Sequence, residues 1–338
     1  MMSCEDYRVQ IEKLLKNNQI QTNMKTVGII GGAGFIGSYN TQKFLSQGYH
    51  VKVSVMDLSK KEKYAHLKQL ENAENLEIVQ LNVEDKSALP DFLKGCQIVV
   101  HGGTPFQLDV EDVQAELFDP TIKGTENFLE AVQATPRIEK VVFIASVAAY
   151  NTNFPMLPEG KTDEDQIDET DKPFMSEEGH PYAQAKFIAN QTVEKFIAEH
   201  PNLDFEITTV SPVGVMGKSL SDRQDSTSTG IQYLFKNKIA PNPFIQMLYD
   251  VDVLWALVDV ADVAEAIFIA ATTKGLHGKN YLLSGESYPV SDVSLMLNHK
   301  APKNKPRLVY SSALAKKDLG IGFKPLKGTL NEYSPVLT

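Results

Sequence analysis

Three residues of this chain have the types and placing needed to move a proton and polarise an oxygen: Ser146, Tyr182 and Lys186. Tyr182 and Lys186 stand four apart in His180-Pro181-Tyr182-Ala183-Gln184-Ala185-Lys186, where Pro181 suits the first turn of a helix and His200-Pro201 marks its end. Residues at that spacing share one helix face, so a phenol and an ammonium can address one site. A free phenol titrates near pH ~10, too high for acid–base work at neutral pH, but a nearby cation favours the phenolate and is expected to lower that value. Ser146 closes the apolar run Val141-Val142-Phe143-Ile144-Ala145. A hydroxyl at that strand end can donate to an oxygen on which negative charge develops.

An isolated tyrosine and lysine at this spacing are common by chance, and their weight comes from what lies upstream. Directly after the first apolar run, the chain reads Gly31-Gly32-Ala33-Gly34-Phe35-Ile36-Gly37, and Asp57 closes the second such run 20 residues beyond Gly37. Strand, glycines, helix, strand and carboxylate in that order are the fingerprint of a dinucleotide site. Gly31 allows the tight turn, Gly34 lets the backbone approach a pyrophosphate, and Gly37 lets the helix lie close to the sheet. The pyrophosphate then rests on the N–H groups of a helix N-terminus.

Asp57 would bond the adenosine ribose hydroxyls and so favours NAD, whereas Lys60, Lys61 and Lys63 directly after it could neutralise the extra phosphate of NADP. Both cofactors stay open. An oxidised nicotinamide ring would add its positive charge to that of Lys186 in favouring the Tyr182 phenolate, and Lys186 would also hold the nicotinamide ribose.

The elements that must position these groups alternate. Residues 27–30, 50–56, 76–81, 97–101, 140–145 and 205–210 read as strands, and 34–47, 112–134 and 182–199 as helices. Alternation of this kind implies right-handed crossovers. The fold class is α/β: a doubly wound parallel Rossmann sheet with a smaller, noncontiguous C-terminal substrate lobe. Residues 1–23 form an N-terminal extension with Tyr7, Ile11, Leu14 and Leu15 at roughly helical spacing. Residues 24–212 are mainly the dinucleotide-binding domain and 213–338 mainly the substrate lobe, with 250–273 returning to the Rossmann core. Polar connections at 219–229 and near Pro241 and Pro243 suit binding loops.

Composition narrows the function. With 338 residues, 42% of them hydrophobic and 22% charged, the chain can bury a core without staples. Its 33 basic against 43 acidic residues give −10, the wrong sign for holding a nucleic-acid backbone across a broad surface. No apolar run is long enough for a membrane span, and residues 1–23 lack the apolar centre of a signal peptide. The two cysteines, Cys4 and Cys96, suggest no secreted disulfide framework, so a reducing cytoplasm is expected. None of the seven histidines forms a His-Glu-x-x-His pattern or pairs with close cysteines, and no metal is expected. His180 is read as a loop histidine near a helix start rather than a ligand.

On the glycine loop, Val142-Phe143-Ile144-Ala145-Ser146, Tyr182-Ala183-Gln184-Ala185-Lys186 and Val258-Asp259-Val260-Ala261-Asp262-Val263, the chain resembles the extended short-chain dehydrogenase/reductases of the NAD-dependent epimerase/dehydratase superfamily. His101-Gly102-Gly103-Thr104-Pro105, Pro120-Thr121-Ile122-Lys123-Gly124-Thr125 and Ser211-Pro212 are similar to the dihydroflavonol-reductase-like branch. That resemblance implies cofactor contacts from Gly31, Gly34, Phe35, Ile36 and Gly37. It implies Lys63 on the phosphate side, Asn82 and Val83 beside adenine, Gly102, Gly103 and Thr104 beneath the ribose and pyrophosphate, and Pro212 against the nicotinamide. It slightly favours NADP, although Met56 stands where the branch usually carries an arginine. Pro120 replaces an asparagine common in sugar-nucleotide epimerases, and Val147-Ala148 replace the acidic pair of dehydratases. The resemblance also implies a homodimer through the helices around 112–134 and 182–199.

The expected activity is therefore hydride transfer between nicotinamide and a small or medium aldehyde or ketone, with Ser146, Tyr182 and Lys186 as catalytic set. A sugar-nucleotide epimerase and a non-catalytic dinucleotide-binding regulator are the alternatives. The substrate pocket is expected to draw on residues 104–108, 148–151, 212–218 and 219–244, with Phe106, Tyr233 and Phe244 as an apolar lining.

Overall fold

Strands buried on both faces need continuous apolar runs rather than alternating ones, and most of this chain's strands have them. The computed structural model describes residues 24–102, 112–162, 164–223 and 226–333. In it β1 (Thr26–Ile30), β2 (His50–Val55), β3 (Leu76–Gln80), β4 (Ile98–His101), β5 (Lys140–Ile144), β6 (Glu206–Pro212) and β9 (Asn280–Leu283) form one sheet. Its spatial order is β3-β2-β1-β4-β5-β6-β9, and every pairing is parallel. The chain runs outward from β1 through β2 to β3, then crosses back to lay β4 on the other side of β1. That reversal opens a crevice at the C-terminal ends of β1 and β4, where ligands bind in sheets of this kind. The N–H of Gly102 donates to the Ile30 carbonyl at 3.1 Å, which carries the β1–β4 pairing to the mouth of the crevice.

Helices cover the sheet. On one face α1 (Phe35–Ser46) packs against α7 (Val260–Thr272), with Phe44 and Phe268 ring centroids 5.2 Å apart and Lys43 paired to Glu265. On the other, α2 (Leu89–Leu93) packs on α3 (Asp119–Ala134), which lies along α4 (Pro181–Glu199). The helix expected over 112–134 divides: Gln114–Phe118 is wound as a π-helix, and the α-helix starts only at Asp119, with Pro120 in its first turn. Proline lacks the N–H that a continuous helix needs at that point.

A second apolar cluster adjoins the first through Phe154 and through strands whose alternate residues enter each. The short sheet β10-β8-β7, from β7 (Gly214–Met216), β8 (Leu254–Asp259) and β10 (Glu286–Pro289), packs with α5 (Thr227–Asn237), α6 (Pro243–Asp250), α8 (Val290–Leu297) and α10 (Leu326–Asn331). Phe235, Trp255, Tyr288, Met296 and Leu330 are buried there, and the Phe235 and Trp255 rings meet edge-on at 5.1 Å. A further helix, α9 (Ala313–Leu319), lies against β9. The sequence reading gives 280–283 to the substrate lobe and 250–273 to the Rossmann core, whereas 280–283 complete the main sheet as β9 beside β6, and of 250–273 the segment 254–259 joins the short sheet as β8 while α7 packs on the main sheet. Four residues, Asn-Tyr-Leu-Leu, are too few for periodicity to reveal. Among the described residues, no helix is long and apolar enough to cross a membrane.

The turn between β1 and α1 leaves no room at Gly37: a Cβ there would lie 2.0 Å from the Gly31 carbonyl oxygen. Gly124, inside α3, has nothing within 4 Å of its ideal Cβ position. The two glycines therefore respond to alanine with opposite signs. In urea unfolding, Gly37→Ala should cost about 1–3 kcal/mol through the forced clash, while Gly124→Ala should gain up to about 1 kcal/mol of helix propensity.

Candidate active site

The glycine loop is tied up by its own side chains and backbone. Gly31 takes a positive φ of 78°, its N–H donates to Ser54 Oγ at 3.2 Å, and the Gly34 N–H returns to the Gly31 carbonyl at 3.0 Å. Thr41 Oγ1 donates to the Gly32 carbonyl at 3.0 Å and Ser38 Oγ to the Gly34 carbonyl at 2.7 Å. Gly37 is needed because helix and turn meet there, a tighter contact than the helix–sheet approach expected for it. Gly32, which sequence reasoning passed over, is also constrained, since a Cβ would meet both Val53 methyls at 2.8 Å.

Helix α1 opens on Gly34 with no side-chain cap and no acidic residue in its first turn. A helix start of this kind has N–H groups and dipole suited to an anion. Phe35 and Ile36 form that first turn and pack partly buried on the main core. Asp57 follows the end of β2. Its Oδ1 accepts from the Ser59 N–H at 2.8 Å and the Ser59 O–H at 2.7 Å, and those bonds, with Lys60 and Lys63 beside it, hold its pKa below the usual carboxylate range. Asn82 and Val83 lie past the end of β3 on the same side; Asn82 is exposed and its Oδ1 accepts from the Glu84 N–H at 3.1 Å. Pro212 ends β6, buried, opposite Leu283. Gly103, Thr104 and Phe106 lie outside the described residues. The loop, the uncapped helix start and the charged groups past β2 together fit a dinucleotide.

The proton-handling residues gather farther along the same sheet edge. Ser146 stands two residues past β5 in extended backbone (φ −158°, ψ 161°), and its Oγ accepts from the Ala148 N–H at 3.3 Å. Helix α4 packs against the short turn that Ser146 begins. His180 caps α4, its Nδ1 accepting from the Tyr182 N–H at 3.2 Å, as a histidine at a helix start would. One turn on, the Lys186 amine lies 5.9 Å from the centroid of the Tyr182 ring. The helix thus brings phenol and amine together as their spacing requires.

Burial dominates the electrostatics of the pair. Burial pushes the Tyr182 phenol up to about 12 rather than down, and pushes the Lys186 ammonium down to about 8. Removing water penalises the charged form of each group. His101, which the sequence offered only as part of a motif, is buried at the end of β4 between Phe128 and Phe143, with ring centroids 4.3 and 5.0 Å away. Its Nδ1 has no hydrogen-bond partner, and burial together with the nearby Lys186 charge drives its pKa down to about 3.

The second lobe reaches this edge. Tyr39 of α1 donates its O–H to the Lys218 carbonyl at 2.8 Å, and Arg223 Nη1 donates to the carbonyls of Ala33 and Lys63, each at 3.3 Å. Sequence reasoning singled out neither residue, and no local pattern could have done so. Tyr233 on α5 and Phe244 on α6 are 43% and 48% exposed, so neither is consumed by the lobe's core.

Comparison with known proteins agrees with this architecture. The model of the NAD dependent epimerase/dehydratase family matches residues 27–284. The chain is similar to the cinnamoyl-CoA reductase CAD2 of Medicago truncatula, 31% identical over 90% of this chain and 93% of that protein. It is also similar to an anthocyanidin reductase of Vitis vinifera, 27% identical over 83% of this chain and 82% of that protein. In fold it resembles the crystal structure of Gre2 from Candida albicans in complex with NADPH, with a TM-score of 0.76, 23% identity, and coverage of 91% of this chain and 97% of that one.

The depressed His101 pKa has a readable consequence. An unfolded chain takes up a proton below about pH 6.5 that the native imidazole refuses. The stability due to His101 is therefore complete above that pH and is lost as pH falls toward about 3. Its ring NMR signals should not move between about pH 8 and 5, and His101→Leu should flatten that part of the acid unfolding limb. A mid-range titration of the ring would show that water reaches it.

Proposed function

Because this chain belongs to the NAD dependent epimerase/dehydratase family, as an NAD(P)-dependent oxidoreductase of the extended short-chain dehydrogenase/reductase type, we propose that it reduces a small or medium aldehyde or ketone at the Ser146–Tyr182–Lys186 cluster. The observation that carries this reading is the phenol and amine on one turn of α4, beside the strand end that bears Ser146 and on the same sheet edge as the glycine loop.

The nicotinamide cofactor, when bound, supplies the hydride. Gly31, Gly34, Phe35, Ile36 and Gly37 would hold its pyrophosphate, with Asp57, Lys63, Asn82 and Val83 toward the adenosine and Gly102, Gly103, Thr104 and Pro212 toward the nicotinamide side. Ser146 Oγ and the Tyr182 O–H would donate to the carbonyl oxygen, which gathers negative charge as reduction proceeds. Tyr182 then gives up its proton. At neutral pH a phenol shifted upward is fully protonated, and an ammonium near 8 is still mostly charged, so the pair stands ready as an acid with its stabilising cation in place. Water exclusion around both groups strengthens that attraction once the phenolate forms.

A homodimer through α3 and α4 belongs to the same proposal: the helices lie side by side on one face of the sheet, and a second copy would complete a four-helix bundle. A cytoplasmic setting is part of it too, supported by the cysteine count and by Cys96 being buried with its thiol pushed up to about 11, an unreactive thiol. Light scattering should give twice 37.5 kDa; a species at 37.5 kDa alone would remove the dimer.

A panel of aldehydes and ketones with NADPH and NADH tests the activity. Tyr182→Phe should lower kcat by about 10²–10⁴-fold with cofactor affinity unchanged. Wild-type turnover no higher than that of the variant, together with altered proton NMR signals of a UDP- or GDP-sugar, would make the chain an epimerase instead. The pH profile tests Lys186 separately. Reduction should hold level near neutrality and fall as pH rises through about 8, where the ammonium loses its charge. A rate level to about pH 10 would take Lys186 out of the proton step.

A further inference from the structure

Arg223 belongs to the second lobe, yet its charge sits at the nucleotide edge of the first. One guanidinium nitrogen donates to the Ala33 carbonyl in the loop after β1 and to the Lys63 carbonyl in the turn after β2, each at 3.3 Å. In a doubly wound sheet these two segments frame the 2′ edge of the adenosine ribose, where either a carboxylate meets a hydroxyl or an arginine meets a phosphate. The charge of Arg223 also reaches His66, whose Nε2 pairs with Ser38 Oγ at 2.8 Å at the start of α1. The tie between Tyr39 and Lys218 holds the same strap against α1 five residues earlier.

The carboxylate at this edge is already engaged. Asp57 Oδ1 accepts both the N–H and the O–H of Ser59, closing the turn after β2, and Lys60 and Lys63 offset its charge. Met56 beside it is 62% exposed and brings no charge. With Arg223 included, Lys60, Lys63 and Arg223 stand around Asp57, and Asp222 beside Arg223 brings a second carboxylate toward His66, so cations outnumber carboxylates and a dianion at the 2′ position is attracted. A guanidinium remains charged at any working pH, and its planar fork matches phosphate oxygens. Neutral carbonyls at 3.3 Å are weaker acceptors for a guanidinium than phosphate oxygens are.

We infer that Arg223, supplied across the seam by the second lobe, binds the 2′-phosphate of NADP(H) and sets the chain's preference for the phosphorylated cofactor. This rests on the reading that the glycine loop holds a dinucleotide. Neither the glycine loop nor the proton-handling cluster includes Arg223, so the assignment can fail while both stand.

Calorimetric titration of the full chain with NADPH, NADH, 2′,5′-ADP and 5′-AMP decides it without any turnover. The wild type should bind NADPH more tightly than NADH. Arg223→Gln should weaken NADPH and 2′,5′-ADP by about tenfold or more and leave NADH and 5′-AMP within about twofold. Arg223→Lys, which keeps the charge and loses the fork, should fall between them. Equal weakening of NADPH and NADH by Arg223→Gln would make the arginine a mere tie between loops and overturn the assignment, as would unchanged NADPH affinity or a wild-type preference for NADH. If the wild type binds none of the four, the dinucleotide reading of the glycine loop falls first, and this assignment with it.

Discussion

Everything at the working edge of this protein depends on how closely one helix start approaches one strand end. At Gly37 the first turn of α1 runs against the Gly31 carbonyl, leaving no volume for even a methyl group. Because the loop carbonyls of Gly31, Gly32 and Gly34 all accept hydrogen bonds from within the loop or from α1, the turn is set before any ligand arrives. A rigid turn keeps the N–H groups of α1 aimed into the crevice that the β1–β4 reversal opens. Strand order supplies the crevice and the glycines supply the approach. Neither alone makes a site for a pyrophosphate.

Along the same edge, the decisive quantity is water rather than charge. Lys186 and His101 are buried and Tyr182 is partly buried, and desolvation is the largest influence on each. It keeps His101 neutral, so that the imidazole adds no second positive charge beside the Lys186 ammonium. It lowers the lysine far enough to titrate near 8 while leaving it charged at neutrality. It raises the phenol, which suits an acid that must still hold its proton when substrate arrives. A lowered phenol is expected from the Lys186 ammonium together with a bound oxidised nicotinamide; burial acts in the opposite direction. Spacing along a helix gives the partner; it does not give the solvent exposure that sets the sign.

How much could be read in advance follows the same line. The parallel sheet was legible because its strands are dense in valine and isoleucine and bounded by glycine or polar turns, and the Tyr182–Lys186 pair because four residues span a helical turn. Ser146 was legible only from its place after an apolar strand. Three things were not. β9 is a four-residue strand without a pattern; His101 became notable only when Phe128 and Phe143 closed around it; and Pro120 marks a discontinuity near Gln114–Phe118 without specifying the π-helical winding before it. Local propensity carries each of these too weakly, and tertiary packing decides them.

The hardest features to foresee lie between the lobes. Each lobe buries its own aromatic and aliphatic cluster, with Val215, Ala256 and Val258 of the short sheet and Phe154 carrying apolar contact between them, and polar contacts join the lobes at the nucleotide edge. Arg223 reaches Ala33 across 190 residues of sequence and Lys63 across 160. Only the closing of two separate cores brings these groups within hydrogen-bond distance. Ligand sites favour such seams because two rigid bodies can present convergent polar groups without disturbing either core. Three of the contacts that hold the strap are hydrogen bonds to neutral carbonyls, each worth little beside a charged acceptor.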